Sequence, residues 1–317
     1  MAAKRPQQNP LVCHGHSRPI VDLSYSAVTP DGYFLTSASK DGQPMLRNGA
    51  NGDWVGTFQG HKGAVWQCVL NQPALLAATA SADFSASIWD AVSGDVKHTF
   101  PDTHIVRSVH FSQDSNHLLT AGYDKANKMK IYDLNSPSLE PERFQAADSI
   151  RFASYHQNDN VILSTYVDKP NVSVWDARTQ QVVKTLETSK VVLSLELVDS
   201  NLFITADDKF VKLWDANTFQ VLKSFTLPYQ VESATYSPQK QRFAAGGEDM
   251  WVHLYDSESG EEVDTNKGHH GPVHCVRFAP GGESYASGSE DGTIRIWETD
   301  FSSKQAGNAP TANGLAH

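Results

Sequence analysis

The sequence predicts an all-β protein, a seven-bladed β-propeller closed by an N-terminal strand. Two observations carry this. An Asp in a short polar turn recurs at Asp41, Asp83, Asp124, Asp168, Asp208, Asp249 and Asp291, at steps of 42, 41, 44, 40, 41 and 42 residues. Six to eight residues after each of the last six comes an aromatic followed by an acid: Trp89-Asp90, Tyr132-Asp133, Trp175-Asp176, Trp214-Asp215, Tyr255-Asp256 and Trp297-Glu298. Only the first unit breaks the pattern, with Arg47-Asn48. A period of this size defines one supersecondary unit that cannot bury both faces alone, so neighbours must stack and the stack closes into a ring.

Each unit reads as short strands separated by turns. Leu11-Val12-Cys13, ahead of the first unit, is a β-rich run with no partner of its own. The last unit runs V273-H-C-V-R-F, S284-Y-A-S-G-S and T293-I-R-I-W, with Pro280-Gly281-Gly282 and Glu290-Asp291-Gly292 as turns, and supplies only three strands. Leu11 to Cys13 is therefore expected to complete it and remove an open edge. Gly15-His16, Gly60-His61 and Gly268-His269 open three units. The expected division is a closing segment over 1–14, the ring over 15–300 and a disordered tail over 301–317, where residues are small and polar without periodicity.

Composition limits the function. Lys and Arg number 26 against 36 Asp and Glu, a formal charge of -10, which disfavours a surface that pursues phosphate along its whole extent. No apolar run approaches the roughly 18 residues of a membrane span. The start carries no apolar signal region, and Cys13, Cys68 and Cys275 form neither an even framework nor a CxxC pair, so a reducing compartment is expected.

His269, Ser287 and Asp291 are the residue types of nucleophilic catalysis, but His61, Thr79 and Asp83 repeat them in the second unit, each set followed by Trp297 or Trp89. A set repeated per unit reads as a structural hydrogen-bond network that satisfies buried polar groups. The first unit keeps His16, Ser37 and Asp41 but has Arg47 where the Trp belongs, so its network is expected to be incomplete. His14, His16, His269 and His270 lack acids or thiols at ligand spacing, and the paired glycines fit no phosphate loop. No metal, cofactor or catalytic residue is expected. Lys125, Lys128 and Lys130 make a small basic patch in the third unit.

This pattern resembles the WD40 repeat, and the resemblance covers residues 15 to 298. It implies that the residue before each turn Asp and the residue entering each innermost strand share one rim. Those positions hold Lys40, Trp66, Arg107, Tyr123 and Arg151 in the first four units, and Asp207, Glu232, Glu248, His274 and Glu290 in the last three. The rim is thus divided in charge, and its arginines and aromatics are the usual anchors of interfaces.

Two stretches, Lys40 to Trp66 with its Pro-Met-Leu-Arg and Gly268 to Glu298, resemble the family of serine-threonine kinase receptor-associated proteins, also called Unr-interacting proteins. That resemblance implies a non-enzymatic cytoplasmic and nuclear adaptor: a component of the survival-of-motor-neuron complex in spliceosomal snRNP assembly, with roles in receptor-kinase signalling. Its implied partners are proteins, Gemin-type and Sm-type or a cold-shock RNA-binding protein, with RNA touched only indirectly and no small-molecule substrate. Subunit i of eukaryotic translation initiation factor 3 is the alternative, and a propeller enzyme the third reading. The acidic tail often seen in the first family is missing, since Ser302 to His317 contains no Asp or Glu.

Overall fold

In the computed structural model, which describes residues 7–125 and 128–301, the second strand of every unit is the most deeply packed: Phe34–Ser39, Leu76–Ser81, His117–Gly122, Val161–Tyr166, Leu202–Asp207, Arg242–Gly247 and Ser284–Ser289. These strands are rich in Ala, Ser, Thr and Gly because both of their faces are covered by neighbouring sheets. A larger side chain has no room. At Gly288 an added Cβ would lie 2.6 Å from Ile20 Cγ2 across the junction between the last blade and the first.

Each unit folds as a four-stranded antiparallel sheet, and seven such sheets form the propeller the sequence predicts. The innermost strands are Ile20–Tyr25, Val65–Leu70, Val106–Phe111, Ile150–His156, Ser194–Leu197, Val231–Ser237 and Val273–Phe278. All seven contribute to the lining of a central channel of about 740 Å³. The outermost strands are the exposed ones, as the Gln181–Glu187 strand illustrates with a single buried position in seven.

Closure is made by Leu11–Cys13, which pairs antiparallel with Ile294–Glu298 in the register Leu11 to Ile296, Val12 to Arg295 and Cys13 to Ile294. Gln8 extends the junction: its side-chain amide donates to the Glu298 carbonyl at 3.0 Å and its carbonyl oxygen accepts the Glu298 amide at 2.5 Å. A side chain here continues the strand pairing where the main chain has left the sheet. Behind it Cys13, Ile20, Leu23, Leu35, Cys275, Ala286, Ile294 and Ile296 form one apolar cluster shared by blades seven and one. Each fully buried aliphatic side chain there contributes roughly 1.5–3 kcal/mol. The expected disordered tail falls almost entirely on residues 302–317, which lie outside the described ones, as do residues 1–6 of the 1–14 segment.

Candidate functional site

The repeated polar set takes its expected form in two blades. His61 bonds Asp83 through Nδ1 at 2.7 Å and Thr79 through Nε2 at 2.6 Å, and Trp89 Nε1 donates to Thr79 at 2.8 Å. In the last blade His269 meets Asp291 at 3.0 Å and Ser287 at 2.8 Å, with Trp297 donating to Ser287 at 2.9 Å. A carboxylate only accepts, so Nδ1 carries the proton in each ring and, in a neutral imidazole, Nε2 accepts from the hydroxyl. The hydroxyl oxygen in turn takes the indole N–H. Thr79 and Ser287 are wholly buried, so no substrate reaches either oxygen. Both nitrogens of His269 are thereby committed.

Blade one holds the His16 contacts, 2.9 Å to Asp41 and 2.7 Å to Ser37, but Arg47 turns elsewhere. Its guanidinium donates to the carbonyls of His14 and Gly52. The residue that breaks the repeat therefore secures the chain just after the closing strand.

Blades three, five and six have no loop histidine, and a cation two residues before the aromatic takes its place. Lys130 Nζ sits 3.0 Å from Asp124 and 2.8 Å from Asp102, and Lys212 Nζ lies 3.0 Å from Asp207. His253 spans Asp249 and Glu262, each at 2.7 Å. Burial opposes the charged form of His253, but the two carboxylates outweigh it and hold its pKa above the ordinary value. Blade four has neither device. There Trp175 still donates to Ser164 at 2.8 Å, and Tyr166 donates to Ser173 at 2.8 Å.

This substitution corrects two expectations. Asp207 is not on the rim: it is fully buried and accepts the Ser189 amide at 2.8 Å as well as Lys212. Blade five has one residue fewer between its second and third strands than the others suggest, so Asp207 fills the acid's role and Asp208 occupies the left-handed turn position at φ 59°. The basic patch also dissolves. Lys130 is buried in its ion pairs, Lys128 donates to the Ala147 carbonyl at 2.7 Å, and Lys125 alone is exposed. Lys130, Lys212 and His253 were missed as network members, although comparing the column two residues before each aromatic would have shown a basic side chain in three of the four blades that lack the loop histidine, Ser173 of blade four being the exception.

The other rim positions do share one end of the ring, for a local reason. Val21, Trp66, Arg107, Arg151, Glu232 and His274 are each the extra residue of a bulge between the first and second strands of their blade. A bulge leaves its residue unpaired and re-aims the side chain. Two residues earlier, the innermost chain accepts the amide of the turn residue, as in Tyr123 to Ile105 at 3.0 Å, Lys40 to Pro19 at 3.0 Å and Glu290 to Pro272 at 2.9 Å. Turn and bulge residues are thereby held side by side in six blades. Blade five lacks the bulge, so Leu193 does not join them in this way.

Two arcs of opposite character result. Arg107 stacks its guanidinium 3.9 Å above the centre of the Trp66 ring. Burial, then the charge of Arg151, brings its pKa down to about 10, so it stays protonated at neutral pH. Beside it His104 packs against both Phe84, at 5.4 Å between ring centres, and Tyr123, at 5.9 Å. Phe84 is 45% exposed and holds φ 68°, where Gly42 and Gly292 stand in blades one and seven. Across the ring His274 is clamped by Glu232 at 3.0 Å and Glu290 at 2.7 Å, and Glu290 also reaches Lys40 at 3.7 Å. Lys40 thus belongs to the acidic arc rather than the basic one. Glu248 is exposed beside it.

The channel holds a further charged group that sequence reading did not single out. Arg277 lies 3.2 Å from Asp22, and burial raises Asp22 to about 6 and the neighbouring Glu196 to about 7, Arg277 opposing both. Among the described residues Arg277 pairs with Asp22 alone, while Glu196 has an Oε2 that is buried without a hydrogen-bond partner.

Comparison with known proteins follows the same ring. A model described as "WD domain, G-beta repeat" matches residues 7–46, 52–90, 94–129 and 260–298. Serine-threonine kinase receptor-associated protein from Homo sapiens and from Gallus gallus are each 50% identical over 295 residues, covering 92% of this chain and 83% of the relative. The chain belongs to this WD40 family. Its Dictyostelium discoideum relative of the same name is 42% identical over 292 residues, 92% of this chain and 99% of that protein. Eukaryotic translation initiation factor 3 subunit I from Drosophila sechellia is more distant, 30% identical over 322 residues and 97% of its length. The units left unmatched by the repeat model, between residues 130 and 259, include blades four, five and six, in which the loop histidine is absent.

Proposed function

We propose that this chain is a non-enzymatic adaptor of the cytoplasm and nucleus, acting in the survival-of-motor-neuron complex during spliceosomal snRNP assembly, with a second role at receptor serine-threonine kinases. The observation that carries the reading is the 50% identity to serine-threonine kinase receptor-associated proteins over 92% of the chain, against 30% to the initiation-factor subunit. Receptor association comes from the name of those relatives, and the place in snRNP assembly from the family resemblance of the first and last repeats. Burial of the Thr79 and Ser287 hydroxyls supports a binding role over catalysis. The expected partners are Gemin-type and Sm-type proteins or a cold-shock RNA-binding protein, with RNA held by those partners.

A subunit role at the translation initiation factor is the second reading, favoured by the match over 97% of that relative. Affinity purification of the tagged chain with mass spectrometry separates the two. Recovery of Gemin and Sm proteins is the expected result, and recovery of initiation-factor subunits in their place overturns it.

A further inference from the structure

Arg107 and Arg151 occupy equivalent bulges on adjacent blades, and the charge of Arg151 bears on Arg107. Among the described residues neither has a carboxylate within ion-pair distance, and the Nε of Arg151 and the Nε1 of Trp66 find no acceptor. Three lysines near this end are compensated: Lys40 by Glu290, Lys130 by Asp102 and Asp124, Lys212 by Asp207. Two half-buried guanidiniums left side by side are an unmet demand for anionic acceptors. Stacking on Trp66 fixes the plane of Arg107, which pre-orients its N–H edge for a bidentate carboxylate.

A second observation marks the same place. Phe84 is exposed and holds a left-handed backbone at the turn position that glycine takes in blades one and seven and Asp208 and Met250 take in blades five and six, which makes it the aromatic residue among them. Phe84, His104 and Tyr123 thus form an aromatic shelf next to the arginines. The opposite arc of the same ring carries Glu232, Glu290 and the exposed Glu248.

We propose that this end of the ring binds an extended segment of a partner protein with an acidic end over Trp66, Arg107 and Arg151 and a basic end over Glu232, Glu248 and Glu290. The inference deepens the adaptor reading and rests on it only for the statement that the ligand is a protein. A nucleic acid strand fits less well, because a uniform polyanion crossing the ring meets the glutamates and a chain whose formal charge is -10.

Fluorescence anisotropy on the full chain tests it with four labelled probes: a peptide with a Glu block followed by a Lys block, the same residues in alternation, an all-Glu peptide and a single-stranded oligouridine. The block peptide binds most tightly, and its affinity falls as salt is raised. Arg107→Glu or Arg151→Glu lowers it by at least roughly tenfold, the scale of one lost anchor. Arg107→Lys, which keeps the charge and loses the planar fork, gives an intermediate loss. Glu248→Lys, an exposed change that leaves the melting temperature in place, weakens the block peptide and leaves the all-Glu peptide as tight or tighter. Equal binding of block and alternating peptides, tightest binding of oligouridine, or indifference to both arginine reversals overturns the proposal.

Affinity purification of the double reversal keeps the two readings apart. Gemin and Sm proteins that are recovered with the wild type and lost with the variant support both. Recovery undiminished by the reversal sinks this site and leaves the adaptor reading standing. Block-peptide binding by a wild-type chain that recovers none of those proteins sinks the adaptor reading alone.

Discussion

Lys212 places its ammonium 3.0 Å from the Asp207 carboxylate in a blade that has no loop histidine. The acid is fully buried and also accepts the Ser189 amide, so the lysine takes the donor's place that an imidazole N–H holds against Asp83 and Asp291 elsewhere, and adds a charge. The ring thus keeps one hydrogen-bonded acid per turn in six blades while changing the group that donates to it.

Removing that cation leaves an uncompensated charge. Lys212→Met is expected to destabilise the protein by about 3–5 kcal/mol, the usual result of breaking one side of a buried pair, whereas Lys212→Met with Asp207→Asn recovers part of the loss. Denaturant titration of both variants checks this. A single variant within about 0.5 kcal/mol of wild type contradicts the role assigned to Lys212.

The junction of the ring rests on three strand pairs and on Gln8. Gln8→Ala removes two hydrogen bonds to Glu298 and is expected to cost about 1–2 kcal/mol. Deleting residues 1–14 exposes the Ile294–Glu298 edge, so it lowers the melting temperature further and adds concentration-dependent self-association. Thermal scans with light scattering measure both; a truncated chain that melts with the wild type and stays monomeric removes the closing strand from the stability argument.

Stability is expected to respond to pH with two signs. Asp83 and Asp291 are pushed up by burial but pulled further down by hydrogen bonds from His61 and His269 and their neighbours, so their folded pKa values lie below the ordinary one. A depressed acid stabilises the fold above its unfolded pKa, and this is lost as pH falls below about 4. Glu196 is the reverse case: burial raises it to about 7 from 4.5, so its contribution is present below 4.5 and lost as pH climbs through 7. Glu196→Gln is therefore expected to raise the melting temperature at pH 8 and leave it unchanged near pH 4. Equal shifts at both pH values would show that Glu196 is not the group responsible.

Phe84 holds a left-handed backbone that glycine adopts without strain. Phe84→Gly removes a cost of the order of 1 kcal/mol, and little packing opposes the change at a side chain 45% exposed. The variant is expected to melt at or slightly above the wild-type temperature while binding the block peptide several-fold more weakly. A clear loss of stability would mean that Phe84 is retained for packing.

Much of this was legible in the chain itself. The period, the Trp-Asp pairs and the stray Leu11 to Cys13 strand decided seven blades and their closure, because a repeat that buries its faces only against copies of itself leaves one solution. The His61 and His269 networks were readable for the same reason. Tertiary structure alone decided which of the rim charges are paired and which leave the rim. A turn shorter by one residue carried Asp207 from the expected surface to the interior, since one residue in a strand reverses the face a side chain meets. Lys40 joined the glutamates, and Arg107 and Arg151 were left side by side without a carboxylate, because the members of each group come from blades that the closed ring brings together across tens or hundreds of residues of sequence.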